Sequence, residues 1–172
     1  MAGETVSNEE VARGRRIVQR FEIRRRDGGL AVVSEHVRLL PDLAKMGAKA
    51  GDRPPESPSG AVIAGKTLTP GDVATFSRPV GNDIHFDPGF AARYGYRAPL
   101  AQGLMTMTWM VGHVAEAFRG AGAARLTARF RRPVFWDDAL TLYGERDAAG
   151  APVNLVAVNA EGRSVCDLRV EI

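Results

Sequence analysis

The sequence predicts an α+β domain in which an antiparallel β-sheet wraps round one long, central, apolar helix. Three observations predict it. From Gly103 to Phe118 the chain is apolar on nearly every side, carrying Leu104, Met105, Met107, Trp109, Met110, Val111, Val114, Ala115 and Phe118 against only His113 and Glu116 near its end. A helix of that kind in a water-soluble chain must be covered by something. The segments after it alternate apolar and polar residues with a period of two, as strands with one buried face do. Upstream, an Asp27-Gly28 pair between two apolar runs marks a hairpin. The strands need a surface to cover and the helix needs a cover, and a sheet curled round the helix satisfies both.

Taken in order, residues 1–12 read as a frayed terminus leading into a short helix, and Ile17–Ile23 and Leu30–Leu40 as strands joined by Arg26-Asp27-Gly28-Gly29. The seven arginines between Arg13 and Arg26 fit a solvated strand face, or a contact with an acidic partner or phosphate. Pro41 to Gly60 is rich in Pro, Gly, Ala, Asp and Lys, the composition of a loop. After the short apolar run Ala61–Ala64, the sequence Thr69-Pro70-Gly71-Asp72 opens a helical turn that Pro79 stops. Thr69 suits the N-cap, Pro70 the first helical position and Asp72 the positive end of the helix dipole. Asp87 caps a second short helix over Pro88–Tyr94, ended by Gly95, and Tyr96–Pro99 is an extended link into the apolar helix. Gly120 and Gly122 end that helix. Strands are then predicted over Arg125–Arg131, Ala139–Glu145, Val153–Asn159 and Ser164–Ile172. In the last of them Cys166, Leu168, Val170 and Ile172 face one way and Val165, Asp167, Arg169 and Glu171 the other.

With 172 residues the chain is read as one domain over 1–172, in which 1–60 is an N-terminal extension with a hairpin and a loop and 61–172 is the core. No run approaches the ~18 apolar residues of a membrane span, and Met1–Arg20 is polar and unlike a signal peptide. A single cysteine, Cys166, excludes an internal disulfide and points to the cytoplasm. A net charge of +3 is too small to argue for nucleic acid, and neither a metal-ligand spacing nor a glycine-rich phosphate loop is present.

The chemistry-bearing stretch is Phe76 to Met107. It reads Asn82-Asp83-Ile84-His85-Phe86-Asp87, then Ala91-Ala92, then Pro99-Leu100-Ala101-Gln102-Gly103-Leu104-Met105, with Phe130-Arg131-Arg132-Pro133-Val134-Phe135 downstream. This resembles the MaoC-like dehydratases and (R)-specific enoyl-CoA hydratases from about Thr67 to Ile172. The resemblance implies the hot-dog fold and reversible hydration of a trans-2-enoyl thioester carried on coenzyme A or an acyl carrier protein. The carrier is then a substrate, and no cofactor or metal is implied. It further implies pairing of hot-dog units, as a homodimer or a heterodimer with a second hot-dog chain, without nucleic acid or membrane.

Residue by residue, His85 matches the family's acid/base histidine, and Gly103 the glycine whose N–H awaits the developing oxyanion. The family's catalytic aspartate falls on Val80. Asp83 then supplies the carboxylate from a shifted backbone, or His85 works with a water held by Asn82, or the site has become that of a thioesterase or of an acyl-binding accessory subunit. Gln102 and Asn82 are candidate substrate contacts. Thr108 is a third, because Val111 stands where the family often has a polar residue. His113 is read as a packing or interface residue, Trp109 and the methionines as core, and Cys166 as buried and no nucleophile.

Overall fold

The computed structural model describes residues 2–12, 14–42 and 58–172. Its contacts fall into two compact units, Met1–Arg53 and Pro54–Ile172.

The first unit is a three-stranded antiparallel sheet in the order β1-β2-β3, with β1 at Ala2–Val11, β2 at Gly14–Arg24 and β3 at Leu30–Pro41. The expected hairpin is β2–β3. Gly28 turns with φ +85°, which a side chain would resist, and the Gly29 N–H donates to Asp27 Oδ1 at 2.8 Å. The N-terminal stretch is a strand, against the expectation of a frayed end with a short helix. Almost all of β1 is exposed, so no buried face imprints an apolar alternation on its sequence. Its pairing rests on backbone bonds and cross-strand charge, with Glu9 opposite Arg16 and Glu10 opposite Arg15. Arg15 Nε lies 2.8 Å from Glu10, and Arg16, Arg20, Arg24 and Arg25 each also meet a carboxylate. The arginine run is therefore largely neutralised within its own sheet. The loop expected from Pro41 to Gly60 lies almost wholly outside the described residues, although β3 itself runs through Pro41.

The second unit has five antiparallel strands in the order β4-β6-β7-β8-β5. Strand β4 spans Ala61–Thr67, β5 Arg125–Phe130, β6 Ala139–Arg146, β7 Pro152–Asn159 and β8 Ser164–Glu171. Helices α1 (Pro70–Ser77), α2 (Pro88–Arg93) and α3 (Gly103–Gly112) come before β5, and α3 packs on the inner strands β7 and β8. Leu142, Leu155, Ala157 and Leu168 from the sheet, Met110 from α3 and Val73 from α1 form the centre of the core.

The central helix is shorter than expected. It ends at Gly112, and the chain tightens into i→i−3 bonds, His113 N–H to Met110 O at 3.1 Å and Val114 N–H to Val111 O at 3.0 Å, before a 3₁₀ turn at Ala115–Phe118. A glycine within an apolar run costs helix about 1 kcal/mol relative to alanine, enough to place the end there. Nor is α3 covered on all sides: Met105, Thr106 and Met110 are buried, whereas Leu104 is 52% exposed. His113 stays exposed, its ring edge-on to Trp109.

In β8 two expectations change. Val165 is buried beside Cys166, because the register slips between Ala157↔Cys166 and Val158↔Ser164, and this bulge lets two consecutive residues join the core. Ile172, beyond the strand, is exposed. Burial, with the Asp167 charge second, pushes the Cys166 thiol up to about 12. At pH 8 the native thiolate fraction is then on the order of one in ten thousand, so a thiol reagent is expected to label the native protein more than about a hundredfold more slowly than the urea-unfolded one. Following the mass of the labelled protein with time checks this. Among the described residues no helix is long and apolar enough to cross a membrane.

Candidate active site

The site is built from a run of short elements. Thr69 caps α1, its side chain accepting from the Asp72 N–H at 3.2 Å with Pro70 at the first position. Pro79 does not stop the chain outright. It sits in a 3₁₀ turn, Arg78–Val80, directly after α1, and Gly81 reverses direction with φ +68°. Asn82 then caps a second 3₁₀ turn, Asp83–His85, its Oδ1 accepting from Ile84 N–H at 3.4 Å. Asp87 caps α2 by accepting from the Phe90 N–H at 3.0 Å. Each capped turn consumes few residues, and together they bring His85 to the segment that leads into α3.

Two hydrogen bonds tie the histidine there. The Leu100 N–H donates to Ile84 O at 3.0 Å, and His85 Nδ1 lies 2.8 Å from Leu100 O. A carbonyl can only accept, so Nδ1 carries the proton and Nε2 of the neutral ring is left with its lone pair. His85 is half-buried, and its Nε2 is the basic atom the turn presents.

Three residues beyond Leu100, α3 begins. Gln102 occupies its N-cap position and Gly103 the first helical position. The first N–H groups of a helix lack intrahelical acceptors, and among the described residues none takes the Gly103 N–H. The glycine lets the Phe130 ring lie close: a Cβ there would stand 2.8 Å from it, so the ring would have to shift to admit a side chain. Gln102 is only 9% exposed, makes no capping bond, and its Nε2 is buried without a partner, a second donor left over at the same helix end.

The other expected residues are placed differently. Asp83 is exposed, and among the described residues its carboxylate has no hydrogen bond or ion pair. Its backbone carbonyl instead accepts from Phe86 and Asp87 at 3.0 and 2.8 Å. Val80 is 64% exposed. Thr108 is exposed on α3, and the buried hydroxyl-bearing residue of that helix is Thr106, 4% exposed. Counting one turn on from Gln102 would have found it, since residues four apart share a helix face.

The sequence reading also missed Arg97. Its guanidinium lies 4.1 Å over the Phe135 ring and reaches Asp137 at 2.9 Å and Asp138 at 2.5 Å. The hydrogen bond from Arg97 holds the Asp137 carboxyl below the usual carboxylate range, and the same bond raises the guanidinium further.

A MaoC-like domain profile matches residues 55–160. No curated protein sequence matches the chain significantly. Among solved structures, the chain is similar to HtdX of Mycobacterium tuberculosis, with a TM-score of 0.69 and 22% identity over 99% of this chain and 67% of that one. A second HtdX structure gives a TM-score of 0.72 and 21% identity over 98% and 64%. It is also similar to the peroxisomal multifunctional enzyme type 2 of Drosophila melanogaster, with a TM-score of 0.71 and 18% identity over 98% of this chain and 33% of that one. The (R)-hydratase of A. caviae involved in PHA biosynthesis gives a TM-score of 0.51 and 22% identity over 70% and 97%. The chain thus spans about two-thirds of HtdX and one-third of the Drosophila enzyme. At these identities the likeness concerns the fold, and the fold is the hot-dog fold.

Proposed function

The chain belongs to the MaoC-like domain family, and from that premise we propose that it is a hydro-lyase acting on acyl thioesters, adding water reversibly to a trans-2-enoyl thioester on coenzyme A or an acyl carrier protein. The observation that carries the proposal is the His85 Nδ1 bond to Leu100 O, which leaves Nε2 as a base beside the start of α3. In the hydration direction the thioester carbonyl accepts from the Gly103 N–H, which polarises the conjugated double bond. Water gives a proton to His85 Nε2 as its oxygen bonds to C3. The electron pair of the double bond moves towards the carbonyl, and C2 takes back that proton from His85 Nε2 as the enolate collapses to the 3-hydroxyacyl thioester, leaving the imidazole neutral again. Elimination is the reverse. Gln102, with its orphan amide, and Asn82 and Thr108 are the proposed substrate contacts. The carboxylate role falls to Asp83 through movement of its exposed turn, or to a water held by Asn82.

A second reading, a thioesterase or an acyl-binding accessory subunit, is favoured by two observations: Val80 stands where the family resemblance places an aspartate, and no carboxylate among the described residues bonds to His85. The ChsH1–ChsH2 complex of M. tuberculosis, similar at a TM-score of 0.50 and 20% identity, is an assembly of two chains. A homodimer, or a heterodimer with a second hot-dog chain, is proposed here in the same way.

Pure protein incubated with crotonyl-CoA separates these readings. Hydration is expected as loss of enoyl absorbance without free thiol. Release of free thiol would favour the thioesterase, and absence of both across several acyl lengths the accessory role. Hydration that survives Asp83→Asn would remove Asp83 from the mechanism.

A further inference from the structure

His85 is oriented through Leu100, and the turn that holds Leu100 lies some 35 residues further along the chain. Leu100 forms an isolated antiparallel bridge with Phe135. On either side of it the Ala101 N–H donates to Val134 O at 2.8 Å and the Trp136 N–H to Pro99 O at 3.0 Å. Phe135 to Asp138 is itself a closed turn: the Asp138 N–H donates to Phe135 O at 3.1 Å and the Phe135 N–H to Asp138 Oδ2 at 2.8 Å. Arg97 fastens this turn back onto the segment that carries Leu100. One nitrogen of its fork reaches Asp137 and the other Asp138 Oδ1, and the guanidinium plane covers the Phe135 ring. The Asp138 side chain is only 15% exposed, so its charge depends on Arg97 and the Phe135 N–H for its partners.

We infer that Arg97, acting with Asp137 and Asp138, is a positioning residue for His85: it locks the 134–138 turn against residues 99–101, fixes the direction of the Leu100 carbonyl, and so selects the Nδ1–H tautomer of the imidazole. The planar fork suits the task because it engages two carboxylates and an aromatic face at once, whereas a lysine ammonium is a point charge on a flexible stem. The Leu100 carbonyl shares its peptide plane with the Ala101 N–H, so its direction follows the bond from that N–H to Val134 O. Without Arg97 the 134–138 turn is free to shift, the plane shifts with it, and the preference for one ring nitrogen is lost. The kinetic consequence rests on the proposed role of His85 as base, and the tautomer consequence does not.

The chain has three histidines, so imidazole ¹⁵N NMR can read each ring, with His85→Gln assigning the signals. At a pH where the ring is neutral, the native protein is expected to show Nδ1 of His85 protonated and Nε2 bare. In Arg97→Ala both nitrogens are expected to move towards the average of the two tautomers. Hydration kcat is expected to fall about tenfold to a hundredfold with KM within about twofold, as for a small misplacement of a catalytic group. Arg97→Lys and Asp137→Asn, which leave most of the clamp intact and guard against a folding defect, are expected to lie between. An unchanged His85 tautomer in Arg97→Ala, or a rate loss that only tracks the loss of folded protein, would overturn the inference. If the native tautomer and its response to Arg97 are seen while no thioester is hydrated, the hydratase reading fails and the positioning role stands.

Discussion

Replacing His85 by alanine is expected to lower kcat for enoyl-thioester hydration about a thousandfold, the middle of the range for loss of a general acid–base group. The loss should fall on kcat more than on KM, because in the proposed reaction the imidazole acts on water and on C2 and not on the bulk of the substrate. Stability should change little. His85 is half-buried and contributes one side-chain hydrogen bond, to Leu100 O. Such a bond is worth about 0.5–1.5 kcal/mol, which for a chain of this size moves Tm by about 2–4 °C per kcal/mol. His85→Gln separates the two effects, since its amide can still donate to the Leu100 carbonyl but cannot take up a proton. It is expected to recover the Tm lost in His85→Ala and none of the rate. Thermal unfolding and steady-state kinetics on the two variants check this, and a His85→Gln protein with near-native kcat would remove the histidine from the proton transfer.

The features legible in the sequence were those that leave a local signature. The Asp27-Gly28 turn, the Thr69 and Asp87 caps and the alternation in β6 and β8 each need only a few neighbouring residues to declare themselves, and each is present. Strand β1 left no signature because neither of its faces is buried. The end of α3 was hidden because Val114 and Phe118 continue the apolar pattern past Gly112, and apolar periodicity reports burial, not hydrogen-bond type. The Val165 bulge adds one residue to a strand and lets two consecutive residues join the core, which alternation alone cannot foresee. In the candidate site, spacing and type single out His85 and Gly103, but the reason His85 points as it does was not legible. The Leu100 carbonyl belongs to the backbone, and its clamp joins Arg97 to Asp137 across 40 residues. Tertiary ion pairs of that separation carry no period and no motif.

Gly103→Ala is expected to lower kcat about a hundredfold, comparable to removing one oxyanion donor, and its interpretation turns on Phe130. The Cα–Cβ bond of a helical residue leans towards the helix N-terminus, the side from which a thioester oxygen must approach the Gly103 N–H. The added methyl would therefore crowd the incoming carbonyl. It would also meet three carbons of the Phe130 ring at 2.8, 2.9 and 3.1 Å. Overpacking of that order costs about 1–3 kcal/mol in a closed core. Phe130 is 53% exposed and its ring can turn outward, so the lower end applies and Tm is expected to fall by only a few degrees. A double-mutant cycle with Phe130→Ala divides the two consequences. If the ring clash alone were responsible, Gly103→Ala combined with Phe130→Ala would regain both Tm and the kcat of Phe130→Ala. The expected result is that Tm is regained and kcat is not, because the methyl still stands before the N–H when the ring has gone. Recovery of both would place the oxyanion donor elsewhere and leave Gly103 as a packing residue beneath Phe130.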